Sequence, residues 1–199
     1  MAIPEQNVFY HMFDETKLAT QCPRGFIADK QLTEYLNYKA VCTPAPEPEI
    51  IIKTVEMLPG DTFAFHINAP GNYVVDWGEG PAMEYTHLDE ISHTYLKGGT
   101  FKIGLSGQQT SPMGPQSAPL PVISFQDNNF VKDVQGSFSA IFDQIEDYMF
   151  YETFNYCREL TNVDENLFQG INSATKGMFE RTFASCYKLK EIGATVEIK

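Results

Sequence analysis

The sequence MFYETFNYCRELTNV (149–163) returns 29 residues later as MFERTFASCYKLKEI (178–192). The two stretches share the pattern M-F-x-x-T-F-x-x-C-x-x-L-x-x-[V/I], and identity at so many ordered positions is not expected by chance. Self-similarity at a period of this length is typical of proteins whose repeats stack, since a single repeat cannot bury its apolar face alone. The pattern therefore predicts a stack of repeats in the C-terminal part of the chain.

The shared positions predict the core of each repeat. Phe150 and Phe154 are four residues apart, which places them on one face of a short helix. Cys157 and Cys186 occupy equivalent positions, which predicts two free, packed thiols rather than a disulfide. The predicted repeat core consists of Phe150, Phe154, Cys157, Leu160, Phe179, Phe183, Cys186 and Leu189.

Tyrosines lie in or beside the repeats at positions that the core pattern does not use. A tyrosine side chain is rigid and amphipathic, which suits a contact surface for glycans or proteins. The alternative is that these rings only cover the edge of a small core. The candidate binding surface consists of Tyr148, Tyr151, Tyr156 and Tyr187.

Two proline-rich stretches divide the chain of 199 residues. TPAPEPE (43–49) and GQQTSPMGPQSAPLP (107–121) have the composition of extended linkers or surface loops. They leave an N-terminal docking segment (1–44), a middle domain (49–107) and the repeat region (122–199), whose charged end we expect to act as a cap.

The N-terminal segment is too short to build a core of its own. It opens with an aromatic cluster (9–13) and continues with a predicted helix, ADKQLTEYLNYKA (28–40), for which Asp29 is a suitable N-cap. We expect this segment to dock either on its own chain or on another subunit as a homo-oligomer contact. Cys22 and Cys42 flank the helix and could form a disulfide.

The middle domain has the pattern of an all-β unit. EIIIKTVEM (49–57), TFAFHINA (62–69), NYVVDW (72–77) and TFKIGLSG (100–107) are rich in β-branched and aromatic residues with rough alternation. Four or five strands in such a short span predict a small antiparallel sandwich. In the turn that follows the third run, Asp76 is expected to cap backbone N–H groups and Trp77 to be buried.

Two blocks in this domain resemble the signature of PKD-like domains. That family carries a D-W/F-G-D-G turn, then an H-x-Y segment and a closing strand, and this chain has VDWGEG (75–80) followed by HTYLKGGTFKIGLSG (93–107). It departs from the family at Glu79, where an aspartate is usual. The resemblance implies a structural hydrogen bond for His93. The residues of the motif are Asp76, Trp77, Gly78, Gly80, His93 and Tyr95.

The repeats resemble the BspA-type leucine-rich repeats of bacterial surface proteins, in which F-x-x-C-x-x-L-T-x-[VI] recurs. VISFQDNNFVKDVQGSFSAIF (122–142) could be a degenerate first repeat. Together the patterns predict an α+β, multi-part fold: a small antiparallel PKD- or Ig-like β-sandwich, a short leucine-rich-repeat solenoid and an N-terminal docking segment.

The chain carries no motif for catalysis or for a cofactor. P-loop, GxGxxG, GxSxG and HExxH patterns are missing from the sequence, so we expect no enzyme activity and no cofactor. Calcium stays open as a ligand, because oxygen donors surround the loop between the two PKD-like blocks. These carboxylates are Asp76, Glu79, Glu84, Asp89 and Glu90.

The charge balance argues against two classes of partner. The formal net charge is −12, from 26 acidic and 14 basic residues, which disfavours nucleic acid and anionic membranes. No apolar run approaches the length of about 18 residues that a membrane span needs. The opening residues, MAIPEQNVFYHMFDE, lack the pattern of a signal peptide.

Both resemblances imply a non-enzymatic interaction module at the bacterial cell surface, acting in adhesion or in protein or glycan binding. The alternative is a structural component of a virion, as a capsid or tail decoration, or of an appendage, located at the virion surface. The docking segment and the missing signal peptide favour this alternative.

Overall fold

The computed structural model describes residues 22–28, 42–86, 89–190 and 192. The helix predicted at 28–40 and most of the docking segment lie outside these residues. The strands are β1 (Phe26–Ala28), β2 (Cys42–Pro44), β3 (Ile50–Thr54), β4 (Thr62–Ile67), β5 (Gly71–Asp76), β6 (Met83–Tyr85), β7 (Asp89–Thr94), β8 (Lys102–Gln109), β9 (Ile123–Ser124), β10 (Val131–Gly136) and β11 (Asn162–Val163).

Two sheets enclose the core of the middle region. One has six strands in the order β11-β10-β3-β8-β5-β6, and the other has three in the order β7-β4-β9. Apart from β10 and β11, which are parallel, these strands pair antiparallel. Alternate residues point inward, as Phe63 and Phe65 of β4 and Tyr73 and Val75 of β5 do. This arrangement is consistent with the β-sandwich predicted for 49–107.

The predicted α+β class is wrong for the described part of the chain. It contains no α-helix, and the segment that carries Phe150 and Phe154 consists of consecutive turns over 147–156. Tyr148, Glu152 and Tyr156 have φ angles of 60°, 51° and 61°. A right-handed helix cannot contain a residue in this left-handed region at every fourth position.

The chain instead forms three stacked repeats: a first repeat (122–142), a second repeat (147–171) and a third repeat (176–190). Alternate residues of the second repeat donate their backbone N–H to carbonyls of the third repeat at N···O distances of 2.8 to 3.0 Å. The pairs are Tyr148 to Lys176, Phe150 to Met178, Glu152 to Glu180, Phe154 to Thr182 and Tyr156 to Ala184.

The residues between these donors bond within their own turn. Cys157 N–H, for example, donates to the Phe154 carbonyl three residues back at 3.0 Å. Each N–H from 150 to 157 therefore has an acceptor, either in its own repeat or in the next one, which satisfies the backbone without a helix or a regular strand.

Stacked aromatic rings and strand pairing follow the 29-residue register. Phe125, Phe154 and Phe183 form a column with centroid distances of 5.3 and 5.4 Å and interplanar angles of 2°. Asp133 of β10 pairs with Asn162 of β11 at the same spacing. The stretch 122–142 is thus in register with the two repeats that the sequence shows clearly.

The sandwich and the stacked repeats share strands and a continuous hydrophobic core. β9 pairs with β4, and β10 pairs with β3, so the first repeat covers one lateral edge of both sheets. Asn128, which occupies the position of Cys157, donates from its amide to the Ala64 carbonyl of β4 at 2.8 Å. The sandwich therefore supplies the partner that the first repeat would otherwise find in a preceding repeat.

Candidate functional site

The loop after β5 is held by its own hydrogen bonds. The Asp76 Oδ1 atom accepts the Gly78 N–H at 2.9 Å, the local bond expected of an aspartate at this position of a turn. Gly78 has a φ of 75°, and a Cβ at this residue would lie 2.7 Å from the Lys102 carbonyl oxygen. Gly80 also has a positive φ, 74°. A larger residue at position 78 would separate this loop from β8.

Trp77 anchors the loop in the sandwich core. Its side chain is buried and lies against Phe63 and Phe65, with centroid distances of 6.4 and 5.9 Å. The indole N–H donates to the Tyr85 hydroxyl at 3.3 Å, and the Tyr95 hydroxyl donates to the Trp77 carbonyl at 2.8 Å. Burial raises the pKa of Tyr95, which keeps this hydroxyl protonated as a donor.

His93 packs as an aromatic ring. It stacks on Trp77 at 5.4 Å and meets the edge of Tyr95 at 4.7 Å. Its buried Nε2 has no hydrogen-bond partner in the described part of the chain. The structural hydrogen bond that the resemblance implies for His93 stays a prediction. Burial lowers the pKa of His93, and the negative charge of Glu79 partly opposes this effect. The imidazole is therefore neutral at pH 7.

Glu79 ties this loop to the turn between β7 and β8. Its Oε1 accepts the Leu96 N–H at 3.0 Å. A glutamate side chain is one methylene longer than that of aspartate, and this extra length lets it reach Leu96. Asp76 and Glu79 thus both bind backbone N–H groups. Within residues 22–28, 42–86, 89–190 and 192, no group of three or more His, Cys, Asp or Glu side chains could hold a metal ion. Calcium binding stays a prediction.

Burial of the repeat core decreases along the stack. Phe150, Phe154, Cys157 and Leu160 are fully buried. Their equivalents in the third repeat are only partly buried; they are Phe179, Phe183, Cys186 and Leu189. The third repeat thus has a covered side and a less covered side within the described residues.

The two repeat cysteines are free thiols, as predicted. The Cys157 Sγ donates to the Phe125 carbonyl and the Cys186 Sγ to the Phe154 carbonyl, each at 3.0 Å. Burial raises the pKa of Cys157, and it raises the pKa of Cys186 to about 11. Both thiols therefore act as hydrogen-bond donors between repeats and not as nucleophiles.

Cys22 and Cys42, whose pairing the sequence left open, form a disulfide with a Cα–Cα distance of 5.5 Å. Cys42 begins β2, which pairs with β1. The Phe26 carbonyl of this hairpin accepts the Ala82 N–H next to β6. The disulfide thus holds the start of the described chain at the β5–β6 side of the large sheet.

The structure brings two of the four candidate tyrosines together. Tyr148 and Tyr151 meet edge to face at 5.8 Å, and the Lys176 ammonium lies 5.3 Å from the centroid of the Tyr148 ring. A Cβ at Gly177 would lie 2.3 Å from this ring, so the absence of a side chain at Gly177 makes room for it. We call Tyr148, Tyr151 and Lys176 the tyrosine face.

The other two candidate tyrosines, Tyr156 and Tyr187, are separate from the pair of Tyr148 and Tyr151. Tyr156 lies beside Arg158, whose guanidinium carbon is 5.8 Å from the ring centroid. Tyr187 occupies the position in the third repeat that corresponds to Arg158, and it is 75% exposed. The described contacts include none between these rings and the tyrosine face.

Sequence reasoning missed a set of ion pairs between the second and third repeats. Glu152 pairs with Arg181 at 2.7 Å, and Glu159 pairs with Lys188 at 2.6 Å. Each pair joins residues 29 positions apart, so an acidic residue followed one period later by a basic one was the signal that could have revealed them.

A search of the described residues for a helix long and apolar enough to cross a membrane found none. Comparisons of the chain with protein-family models, with curated proteins and with solved structures found no match.

Proposed function

We propose that this chain is a non-enzymatic, exposed interaction module that binds a protein or glycan through the tyrosine face. The edge-to-face pair of Tyr148 and Tyr151 carries the proposal. Both rings are partly exposed, so they offer apolar area and hydroxyl groups to a ligand at the same place. Lys176 adds a cation beside them.

The backbone behind these rings supports a contact surface of fixed shape. Tyr148 donates its N–H to the third repeat, and Tyr151 donates to the Tyr148 carbonyl within the turn. When a ligand binds to rings on a backbone that is already fixed, the protein loses less conformational entropy than when binding must order a mobile segment.

We further propose that the architecture is a PKD-like sandwich followed by BspA-type leucine-rich repeats. The hydrogen bonds of Asp76 with Gly78 and of Tyr95 with Trp77 support the PKD-like sandwich. The 29-residue register of the stacked rings supports the leucine-rich repeats. An extracellular or cell-surface location is part of this proposal. The Cys22–Cys42 disulfide supports that location, because disulfides persist mainly in oxidising compartments.

The test is a screen of the full chain against glycans and matrix proteins, followed by titration of each ligand found. The double variant Tyr148→Asn and Tyr151→Ser should weaken binding at least about tenfold, since asparagine tolerates the positive φ of Tyr148 and only the rings are lost. Tyr187→Ser is the matched control, because it removes an exposed tyrosine outside the face, and it should bind as the original chain does.

Two outcomes contradict the proposal. One is a folded chain that binds no glycan or protein in the screen. The other is a double variant that binds as tightly as the Tyr187→Ser control.

A further inference from the structure

A cavity lies on the outer face of the six-stranded sheet, which is the face opposite the hydrophobic core. Residues of β5 and β8 form its floor, and residues 45–48, which we call the strap, form its wall. The cavity has a volume of about 160 Å³ and is partly open to solvent. It shares no residue with the tyrosine face.

The pairing of β5 with β8 sets the floor of the cavity. Val74 pairs with Ser106, and Asp76 pairs with Gly104. The residues between them along each strand are buried in the core, so alternation directs these four toward the outer face. Asp76 and Ser106 are diagonal neighbours, about 7–8 Å apart at their Cα atoms. One small group between them can therefore contact both side chains.

Gly104 leaves this space open. A Cβ at position 104 would lie 3.0 Å from the Pro48 Cβ and 3.7 Å from the Asp76 Cβ. Gly104 is not among the glycines with a positive φ, so its backbone conformation does not require glycine. The missing side chain instead provides the room between the strap and Asp76.

The strap is held in place by its own residues and by a neighbouring hairpin. Pro46 and Pro48 have fixed φ angles, which keep this short segment extended. The Ala45 N–H donates to the Gly25 carbonyl at 2.9 Å, which ties the strap to the hairpin of β1 and β2. The disulfide described above closes this hairpin. A wall that is already ordered lowers the entropic cost of binding a ligand.

Two polar groups beside the floor have no partner. The Ser106 side chain is 2% exposed, and its hydroxyl makes no hydrogen bond within the described residues. Continued by one residue, the pairing of β3 with β8 places Glu49 beside Ser106. The Glu49 Oε2 atom is buried and also has no partner in the described part of the chain. Buried polar groups are normally hydrogen-bonded, so these atoms indicate a missing donor.

The charged side chains that line the cavity are all acidic. They are Glu47 and Asp76, and neither a lysine nor an arginine is among the described lining residues. The Asp76 Oδ1 atom accepts the Gly78 N–H, whereas Oδ2 makes no hydrogen bond within the described residues. The formal net charge of −12 further attracts cations to this surface. The lining therefore favours a cationic ligand.

The arrangement of oxygens favours an ammonium over other cations. Three or more His, Cys, Asp or Glu side chains that could hold a metal ion do not come together in the described residues. A guanidinium binds best to both oxygens of one carboxylate, and Asp76 Oδ1 is already engaged. An ammonium instead has three donors that bond to single oxygens, and Asp76 and Ser106 provide two of them.

We propose that this cavity binds a primary ammonium group on an apolar stem. The ammonium donates to the Asp76 carboxylate and the Ser106 hydroxyl, and the stem lies against Val74 and the prolines of the strap. A free alkyl amine and a lysine side chain of a partner protein both have this chemistry. The proposal does not depend on the tyrosine face.

NMR titration of the isotope-labelled full chain tests the ligand. The probes are butylammonium chloride, a blocked pentapeptide with one central lysine, and the same peptide with norleucine, which has the stem without the ammonium. We expect saturable shifts of the backbone amide signals at 74–76 and 104–106 with at least one ammonium probe and none with norleucine. Binding of butylammonium alone identifies a free amine as the ligand, and binding of the lysine peptide identifies a protein side chain. No saturable shift with either ammonium probe, or equal binding of the norleucine peptide, overturns the proposal.

A pair of aspartate variants tests the site. Asp76→Asn keeps an acceptor oxygen for the Gly78 N–H but removes the charge, so the Kd of the ammonium probe should rise at least about tenfold. Asp164→Asn is the matched control, because Asp164 Oδ1 accepts the Asn166 N–H at 2.8 Å in the same kind of turn outside the cavity lining. This control should bind as the original chain does. Equal Kd values for the two variants overturn the proposal.

A second variant keeps every charge and changes only the space. Gly104→Ala places a methyl group on the floor of the cavity, next to Pro48 and Asp76. We expect it to raise the Kd of the ammonium probe at least about tenfold in a chain whose spectrum stays that of a folded protein. A folded Gly104→Ala chain that binds as tightly as the original also overturns the proposal.

Discussion

The sandwich and the stacked repeats satisfy the same backbone groups in different ways. In the sandwich, antiparallel strands exchange donors and acceptors in both directions, as β5 and β8 do over six residue pairs. In the stack, the backbone-to-backbone bonds between the turn segments run only from one repeat to the next, while side chains such as Thr182 donate back to the preceding repeat. A bidirectional ladder can end in a short edge strand, whereas a one-directional row leaves only acceptors at one end and only donors at the other.

This difference in hydrogen bonding explains why the sandwich lies against the first repeat of the stack. The edge of β4 covers the acceptor end of the stack, where Asn128 and β9 bond to it. The donor end has no such partner within the described residues. The sandwich therefore acts as the N-terminal cap of the stack as well as a unit with its own core.

Removing a ring from the phenylalanine column should have the largest effect on the stack. Phe154 is fully buried and contacts Phe125 and Phe183 at the same time. We expect Phe154→Ala to lower the free energy of unfolding by about 3–5 kcal/mol, measured by urea denaturation. Phe183→Ala, at the less covered end, should lower the free energy of unfolding clearly less. Equal losses would contradict the decrease in burial from the second repeat to the third.

Breaking the junction should have the next largest effect. Asn128→Ala leaves the Ala64 carbonyl of β4 without its amide donor, and we expect a loss of about 1–3 kcal/mol in the free energy of unfolding. The exposed neighbour Asn129 serves as the control, and Asn129→Ala should change stability by less than about 0.5 kcal/mol. If both substitutions had the same small effect, the sandwich would not stabilise the first repeat through this bond.

The glycine under the tyrosine face offers a smaller, local test. Gly177→Ala puts a methyl group where the Tyr148 ring lies and also strains a φ of 63°, so we expect a loss of about 1–2 kcal/mol. Gly114→Ala shares a positive φ but has open space around it. The difference in thermal stability between the two variants measures the ring contact alone.

The sandwich should show a modest dependence on pH through His93. Because burial lowers its pKa from 6.5, the neutral form is favoured in the folded state, and protonation opposes folding. Stability from this group is therefore present above about pH 6.5 and decreases as the pH falls toward the lower pKa of the folded protein. Urea denaturation between pH 7.5 and 5.5 measures it, and His93→Gln should flatten the slope. An unchanged slope would mean that other groups produce the dependence.

The sequence predicted the strands and the register of the repeats well, because both depend on local pattern. Alternation in TFAFHI buries Phe63 and Phe65 on one face of β4, and the 29-residue identity places Phe154 and Phe183 in register, stacked on each other. Asp76 and Gly78 form a bond between residues two apart, which a turn motif specifies directly.

The sequence prediction was wrong where the partner of a group lies far away along the chain. The four-residue spacing of Phe150 and Phe154 fits a helix and a run of turns equally, and the acceptors that decide between them belong to residues 178 and 182. The bond from the Asn128 amide to the Ala64 carbonyl, about which the sequence analysis made no prediction, likewise depends on a distant element.

The sequence by itself determined that this chain has a β-rich middle region and repeats in a fixed register, since hydrophobic spacing and internal identity are properties of the order of residues. Only the tertiary structure decided that the repeats contain no α-helix in the described residues, that the sandwich covers their first end, and that the backbone-to-backbone bonds between their turn segments all point one way. The physical reason is that a backbone N–H must find an acceptor, and which acceptor it finds depends on the segment that folding brings beside it.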